Sequence, residues 1–295
     1  LVVIAEHIPA VCRGWLAERC AVSDALDDLP GASGLVVRTY TRVDAALLER
    51  APRLRVVGRA GVGLDNIDLD ACRARGVRVV HTPGANVEAV TELVLAFMLD
   101  AARPRAGLDA PVAPDRWEAI RREQTAPRTL AGRTLGVYGL GRNGSAVARV
   151  GHALGMRVLF CDLLDLESPH AERVSRERLL AESDVLSVHV DGRPENRGLI
   201  GAGAFALMRP DVVLINTARG FVVDAGACAG FLRAHPEARA MLDVHEPEPF
   251  GADYPLLGLP NARLTPHLGS ATADSKERMG WVVRDVWAAL EEAGC

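Results

Sequence analysis

Residues 242–250, LDVHEPEPF, set one histidine and two glutamates between an aspartate and two prolines. All are groups able to move a proton or hold a metal. The prolines at 247 and 249 exclude a helix, so His245 and Glu246 cannot form a zinc-binding HExxH helix, and no metal site is expected. Asp243 ends the apolar run RAMLD. Two further apolar runs lead into reactive types, to Arg219 in LINTARG and to His267 in LTPHLGSATAD. In an open parallel sheet, reactive groups gather at the carboxyl ends of strands. A guanidinium suits two-point contact with a carboxylate. An imidazole can give or take a proton near neutral pH if a carboxylate stands beside it. Lys276 is the only lysine among 34 basic residues. Arginine is therefore the default cation, and Arg219 is singled out by its place rather than its type.

Two glycine-rich loops compete for a cofactor. GRAGVGLDN lacks a third glycine and puts Asp65 where a pyrophosphate would approach. GLGRNG, with Gly139, Gly141 and Gly144, lies between the strand-like TLGVY and the helical SAVARVGHALG. Gly139 allows the tight turn, Gly141 lets the backbone reach a pyrophosphate, and Gly144 lets the helix pack on the strand. The amides at the helix start, including those of Arg142 and Asn143, supply the positive end for phosphates. Asp162 ends the next strand, 18 residues after Gly144. An acid there accepts hydrogen bonds from the adenosine ribose and repels a 2′-phosphate. Leu163 and Leu164 follow it and offer no base, so the expected cofactor is NAD rather than NADP.

These residues need a frame to position them. LVVIA, GLVVRT, LRVVGRAG and VRVVHTPG read as short buried strands, with amphipathic stretches at 43–50 and 68–75. A second series follows: TLGVYGLG, RVLFCD, DVLSVHV, VVLINTARG, ARAMLDV and ARLTPH. Nearly all-apolar strands alternating with helices indicate α/β architecture with parallel sheets covered on both faces. Residues 87–102, VEAVTELVLAFMLDAA, form a helix too apolar for one buried stripe. That implies either a core helix or a dimer seam, of which the seam is preferred. Residues 103–132, rich in proline and arginine, read as a long connection.

The 295 residues are 49% apolar and 24% charged, with a formal charge of −4. These values describe an ordinary globular chain with no basic face for nucleic acid. No run reaches the roughly 18–20 apolar residues of a membrane helix. The six cysteines show no paired or metal-like spacing, which points to reduced thiols in a cytoplasm. The chain opens directly on a strand-like run, so a few residues are expected to precede it.

Taken together, VVGRAGVGLDNIDLDAC, HTPGAN, GLGRNG, INTARG, LDVHEPEP and TPHLGSAT run nearly end to end. In them the chain resembles the D-isomer-specific 2-hydroxyacid dehydrogenases, most closely the catalytic core of the D-3-phosphoglycerate dehydrogenases. The resemblance implies two doubly wound parallel-sheet domains, a Rossmann nucleotide-binding domain inserted into a flavodoxin-like substrate domain. Residues 1–84 and 270–295 would form the substrate domain. Residues 85–269 would form the NAD domain, with a homodimer through the 87–102 helix. It also implies that Arg219, Glu248 and His267 are the catalytic set and that Asp243 accepts the nicotinamide amide. Val190, Thr217, Ala218 and Gly269 would complete the cofactor contacts. Arg59, Ala60, Gly61, Val62 and Gly63, with Arg219 and His267, would contact the substrate.

The implied reaction is hydride transfer at C2 of a small 2-hydroxy or 2-oxo acid. Arg59 favours a substrate with a second anionic group. A hydroxypyruvate or glyoxylate reductase is the alternative within enzymes, and an NAD(H)-dependent binding module resembling transcriptional corepressors is the alternative outside them. Formate dehydrogenases of the same superfamily pair the histidine with glutamine, whereas position 248 is glutamate. The sequence departs from the family pattern in four places. Asp191 stands where a proline is usual, near the adenosine half of the cofactor. Val62 and His81 replace the threonine and asparagine of phosphoglycerate enzymes. His245 occupies a position that is commonly aromatic, which suits a wall.

Overall fold

The computed structural model describes residues 1–103, 105 and 107–294. The chain divides into two compact units, residues 1–89 with 270–295, and residues 90–269. The first break falls at 89/90, inside a continuous helix.

The first unit begins with β1 (Val2–Ile4), α1 (Ala10–Ala17), β2 (Val22–Ser23) and β3 (Gly34–Val37). It continues through α2 (Ala45–Glu49), β4 (Val56–Arg59), α3 (Leu69–Ala74) and β5 (Arg78–His81). Its strands form one parallel sheet in the order β2-β1-β3-β4-β5, the flavodoxin-like winding. The four expected strands are all present. β2 is the addition, and two residues are too few to show a period. Asp44 and Asp68 start α2 and α3 by accepting the amides of Leu47 and Ala71, each satisfying a helix-start donor.

In the second unit, α4 (Val87–Ala102, from Val90 onward) and α5 (Pro114–Glu123) precede the sheet. Then come β6 (Thr134–Tyr138), α6 (Arg142–Ala153), β7 (Arg157–Cys161), β8 (Glu172–Arg173), α7 (Arg176–Glu182) and β9 (Val185–Val188). The unit ends with α8 (Ala202–Phe205), β10 (Val213–Asn216), α9 (Ala225–Ala234), β11 (Arg239–Leu242) and β12 (Ala262–Leu264). The parallel order is β12-β11-β10-β9-β6-β7-β8. The winding reverses between β6 and β9, and that switch point opens a crevice at the carboxyl ends of the strands. Strands β6, β9 and β10 are buried almost throughout, which explains why they read as apolar runs rather than alternation.

The chain returns to the first unit with α10 (Ala273–Gly280) and α11 (Val282–Glu292). Val282, Val283, Val286 and Leu290 of α11 are buried with Val2, Ile4, Val36 and Val56. Burying one such side chain contributes about 1.5–3 kcal/mol. Gly58 allows the approach, since a Cβ there would lie 2.3 Å from Val286.

Helix α4 buries one stripe, Val90, Val94, Phe97 and Met98, and leaves Leu93, Leu95 and Leu99 partly exposed. One helix differs from its sequence reading. The segment read as a long connection contains α5, which has no buried residue. Its local signals suffice: Pro114 sits in the first turn, Asp115 at the positive end, and Arg121 and Arg122 at the negative end. Among the described residues, no helix is long and apolar enough to cross a membrane. Cys12, Cys20, Cys72, Cys161 and Cys228 are unpaired thiols; Cys295 lies outside the described residues.

Candidate active site

The glycine loop lies at the switch point of the second unit. Gly139 has φ +92°, and a Cβ there would lie 2.8 Å from the His189 carbonyl oxygen and 3.0 Å from the Val190 amide nitrogen. The loop therefore passes directly over the end of β9, where only glycine fits. A Cβ on Gly144 would come within 2.0 Å of the Gly139 carbonyl oxygen, so α6 can start against the loop only with glycine there. Gly141 is different, because nothing lies within 4 Å of its Cβ position. It caps α6 without any side-chain hydrogen bond, so open space faces the helix-start amides of Arg142 and Asn143. That arrangement suits an anion.

Asp162 stands at the end of β7. Its Oδ2 accepts the Leu140 amide at 2.6 Å and its Oδ1 the Leu164 amide at 2.9 Å. The acid read as a ribose acceptor thus also fixes the glycine loop. Asp191, the departure beyond β9, is held by the Nε and Nη2 of Arg193 and by Asn196 Nδ2. Its carboxyl lies below the ordinary range, mainly through the Arg193 hydrogen bonds, with Arg219 among the lesser charges. Its negative charge is therefore compensated locally.

At the end of β10, Asn216 braces the turn that carries Arg219. Its Oδ1 accepts the Ala218 amide and its Nδ2 donates to the Arg219 carbonyl. Thr217, beside them, has a buried Oγ1 without a hydrogen-bond partner in the protein, an incomplete arrangement that a ligand would satisfy. Gly220 follows, and its Cβ position lies 1.9 Å from the carbonyl oxygen of His245. The backbone that presents Arg219 therefore rests on the loop that carries Glu248.

Asp243 is 1% exposed. Its Oδ1 accepts Thr265 Oγ1 at 2.6 Å and the Leu268 amide at 2.7 Å, and its Oδ2 accepts the Gly269 amide at 2.7 Å. Its carbonyl accepts the His267 amide at 2.9 Å. These four bonds hold His267 at φ 56°, the only non-glycine among the described residues with positive φ. Such a backbone costs roughly 1–3 kcal/mol and persists where the surroundings over-determine it. The sequence marked Asp243 as a nicotinamide contact. In the structure it is the anchor of the histidine turn.

His267 Nδ1 lies 2.8 Å from Glu248 Oε2, and Glu248 Oε1 accepts the His245 amide at 2.6 Å. Burial raises the Glu248 pKa, but the hydrogen bonds from His267 and from the His245 amide outweigh it, and the carboxyl lies below its ordinary range. An ionised carboxylate only accepts, so Nδ1 carries the hydrogen and Nε2 is the nitrogen left for a substrate.

The other members of the HEPEP stretch are engaged elsewhere. His245 is buried, its Nε2 2.9 Å from the Thr265 carbonyl oxygen and its Nδ1 3.3 Å from the Tyr254 hydroxyl. Phe250 and Tyr254 stand edge-on to its ring. Glu246 forms a two-point ion pair with Arg197, whose guanidinium lies over Phe221.

In the first unit, Arg59 ends β4 and Ala60–Gly63 form the following loop. Thr82 donates to the Gly61 carbonyl through both its amide and its hydroxyl. His81 Nδ1 lies 2.9 Å from the Val62 carbonyl oxygen. Both clamps come from the end of β5. Sequence reasoning missed Thr265, Asn216 and Arg193, which act through turns and pairs that no motif spells out.

A parallel sheet with a glycine-cradled helix start at its switch point defines a dinucleotide-binding α/β unit. Residues 95–269 match the family model described as D-isomer specific 2-hydroxyacid dehydrogenase, NAD binding domain. The chain belongs to the D-isomer-specific 2-hydroxyacid dehydrogenases. It is 40% identical to a D-3-phosphoglycerate dehydrogenase of Archaeoglobus fulgidus, over 89% of this chain and 50% of that one. It is 42% identical to an (S)-sulfolactate dehydrogenase of Chromohalobacter salexigens, over 86% and 83%. It is 39% identical to a glyoxylate reductase of Aeropyrum pernix, over 86% and 78%. The chain thus spans about half the length of its phosphoglycerate relatives. Among solved structures, the TT0316 protein of Thermus thermophilus superposes with a TM-score of 0.84 at 36% identity, covering 99% of this chain and 97% of that one.

Proposed function

We propose that this chain is an NAD-dependent oxidoreductase acting at C2 of a small 2-hydroxy or 2-oxo acid, one that carries a second anionic group. The observation that carries the reading is the His267–Glu248 pair, 2.8 Å apart on a left-handed turn anchored by Asp243. The cofactor fits the residues present. Open space at Gly141, the free start of α6, the carboxylate of Asp162 and the unsatisfied Thr217 Oγ1 would receive its phosphates and polar groups. Val190, Ala218, Asp243 and Gly269 border the same strand ends and complete the proposed cofactor contacts.

Bound nicotinamide supplies or accepts the hydride. The chain does the rest. Arg219 holds the substrate carboxylate and polarises the neighbouring carbonyl. In reduction, His267 donates a proton from Nε2 to the carbonyl oxygen; in oxidation, the same nitrogen takes it back. Glu248 holds the Nδ1 hydrogen and orients the ring. Arg59 and the 60–63 loop are proposed as further substrate contacts. The phosphoglycerate and sulfolactate relatives both carry names of acids with a second anion, which supports that choice. The glyoxylate reductase relative favours a second reading, an acid with no distal anion. The partly exposed Leu93, Leu95 and Leu99 of α4 support a homodimer formed through that helix, and we propose a cytoplasmic enzyme.

Glu248→Gln tests the pair. The amide keeps the shape and removes the carboxylate that accepts the Nδ1 hydrogen. The ring is then no longer held in place, and kcat falls about 10²-fold. An unchanged kcat would count against the pair.

A further inference from the structure

Arg197 has no part in the hydride chemistry, yet its contacts join two loops that do. The segment after β9 is fixed at Asn196, which is buried and whose Nδ2 donates to the Asp191 carbonyl at 3.0 Å. From there the chain runs beside the residues that follow Arg219. The Gly198 amide donates to the Phe221 carbonyl at 2.8 Å. The Ile200 amide donates to the Val222 carbonyl, and the Asp224 amide to the Ile200 carbonyl, both at 3.0 Å. Arg197 stands at the head of this short ladder. Its guanidinium lies 5.0 Å over the Phe221 ring, and its Nη1 and Nη2 reach the Glu246 carboxylate at 2.5 and 2.9 Å. A planar fork on a carboxylate fixes direction as well as distance. Glu246 stands two residues before Glu248. A cavity of about 230 Å³ opens beside the pair, and its lining includes Arg197, Gly220, Phe221, Glu246 and Tyr254. The two loops are therefore not packed solidly together on that side, and the ion pair ties them.

We propose that Arg197 is a positioning residue for the reaction. Its fork on Glu246 and its stack on Phe221 hold the Arg219 turn in register with the loop that carries Glu248, and through Glu248 with His267. This rests on the reading of Arg219, Glu248 and His267 as the working groups. The side chains of Arg197 and Glu246 are 62% and 48% exposed. Ion pairs this open to solvent contribute little to overall stability. Loss of the pair therefore shows in the alignment of the two loops rather than in the survival of the fold.

Reduction of glyoxylate, hydroxypyruvate and 3-phosphohydroxypyruvate is followed by NADH absorbance, and the acid that the unaltered protein reduces fastest is used for every variant. Arg197→Met keeps the stem and removes the fork, and Arg197→Glu sets like charges against each other. Because a misplacement of about 1 Å costs roughly 10²-fold, a smaller shift lowers kcat about 10-fold in the first variant and further in the second. The double variant Arg197→Glu with Glu246→Arg restores the attraction and recovers most of the lost kcat. NADH affinity and the melting midpoint of Arg197→Met stay close to those of the unaltered protein, which separates misplacement from unfolding. Unchanged kcat in both single variants, a loss that the double variant does not recover, or a parallel fall in melting midpoint overturns the role of Arg197. No reduction of any acid by the unaltered protein overturns the oxidoreductase reading itself, and the proposal with it.

Discussion

His267→Asn lowers turnover of the 2-oxo acid about 10²- to 10⁴-fold, the usual contribution of one positioned acid–base group. Cofactor affinity, read by NADH fluorescence, stays within a few-fold of the unaltered protein. The choice of asparagine matters. Residue 267 has φ 56°, and asparagine is among the few side chains that tolerate a left-handed backbone. The turn held by Asp243 and Thr265 therefore persists, and only the proton carrier is lost. Asparagine can still donate toward Glu248 through its amide, but it cannot release that proton to a substrate. Near-normal turnover would remove His267 from the reaction and leave the pair a structural contact.

Gly220→Ala has the second large effect, although the residue bears no reactive group. Its new Cβ would stand 1.9 Å from the His245 carbonyl oxygen and 2.0 Å from the carbonyl carbon. Those are backbone atoms and cannot swing aside as a side chain would. The His245 amide binds Glu248 Oε1, so displacing residue 245 displaces the carboxylate that orients His267. On the other side of the contact, the turn of Arg219 shifts as well. A misplacement of about 1 Å costs roughly 10²-fold in rate, and that fall in kcat/KM is expected. Overpacking of this kind costs about 1–3 kcal/mol, so a thermal-melting midpoint several degrees lower is also expected. Gly230→Ala is the control. It lies in α9 with nothing within 4 Å of its Cβ position, so it should leave kcat/KM in place and the melting midpoint unchanged or slightly raised. Equal behaviour of the two variants would show that the 220–245 contact does not position the site.

The elements that carry the site were legible in the sequence because their determinants are local. GLGRNG needs its glycines for reasons of space alone, and two of those reasons are now visible as contacts at Gly139 and Gly144. The buried strands β6, β9 and β10 announced themselves as apolar runs. The contact between Glu248 and His267 followed from the family pattern rather than from spacing, since nothing in the stretch between them dictates it. What stayed hidden depends on the path of the backbone. Asp243 as the anchor of a left-handed turn requires knowing that Thr265, Leu268 and Gly269 return to β11. Asn216 looked like the last residue of a strand, and its role as a brace appears only when the Ala218 amide turns back. Arg193, one of many arginines, gained meaning only beside Asp191. Strands β2 and β8 have two residues each, too few for any periodicity, and they exist because neighbouring strands offer free edges.

The most direct measurement is steady-state absorbance of NADH with a panel of 2-hydroxy and 2-oxo acids, run in both directions beside a titration of NADH binding. NADH-linked conversion of a 2-hydroxy or 2-oxo acid, fastest with a member bearing a second anion, is the predicted result. Tight NADH binding with no conversion of any acid in the panel would contradict the account and make the chain a nucleotide-dependent binding module.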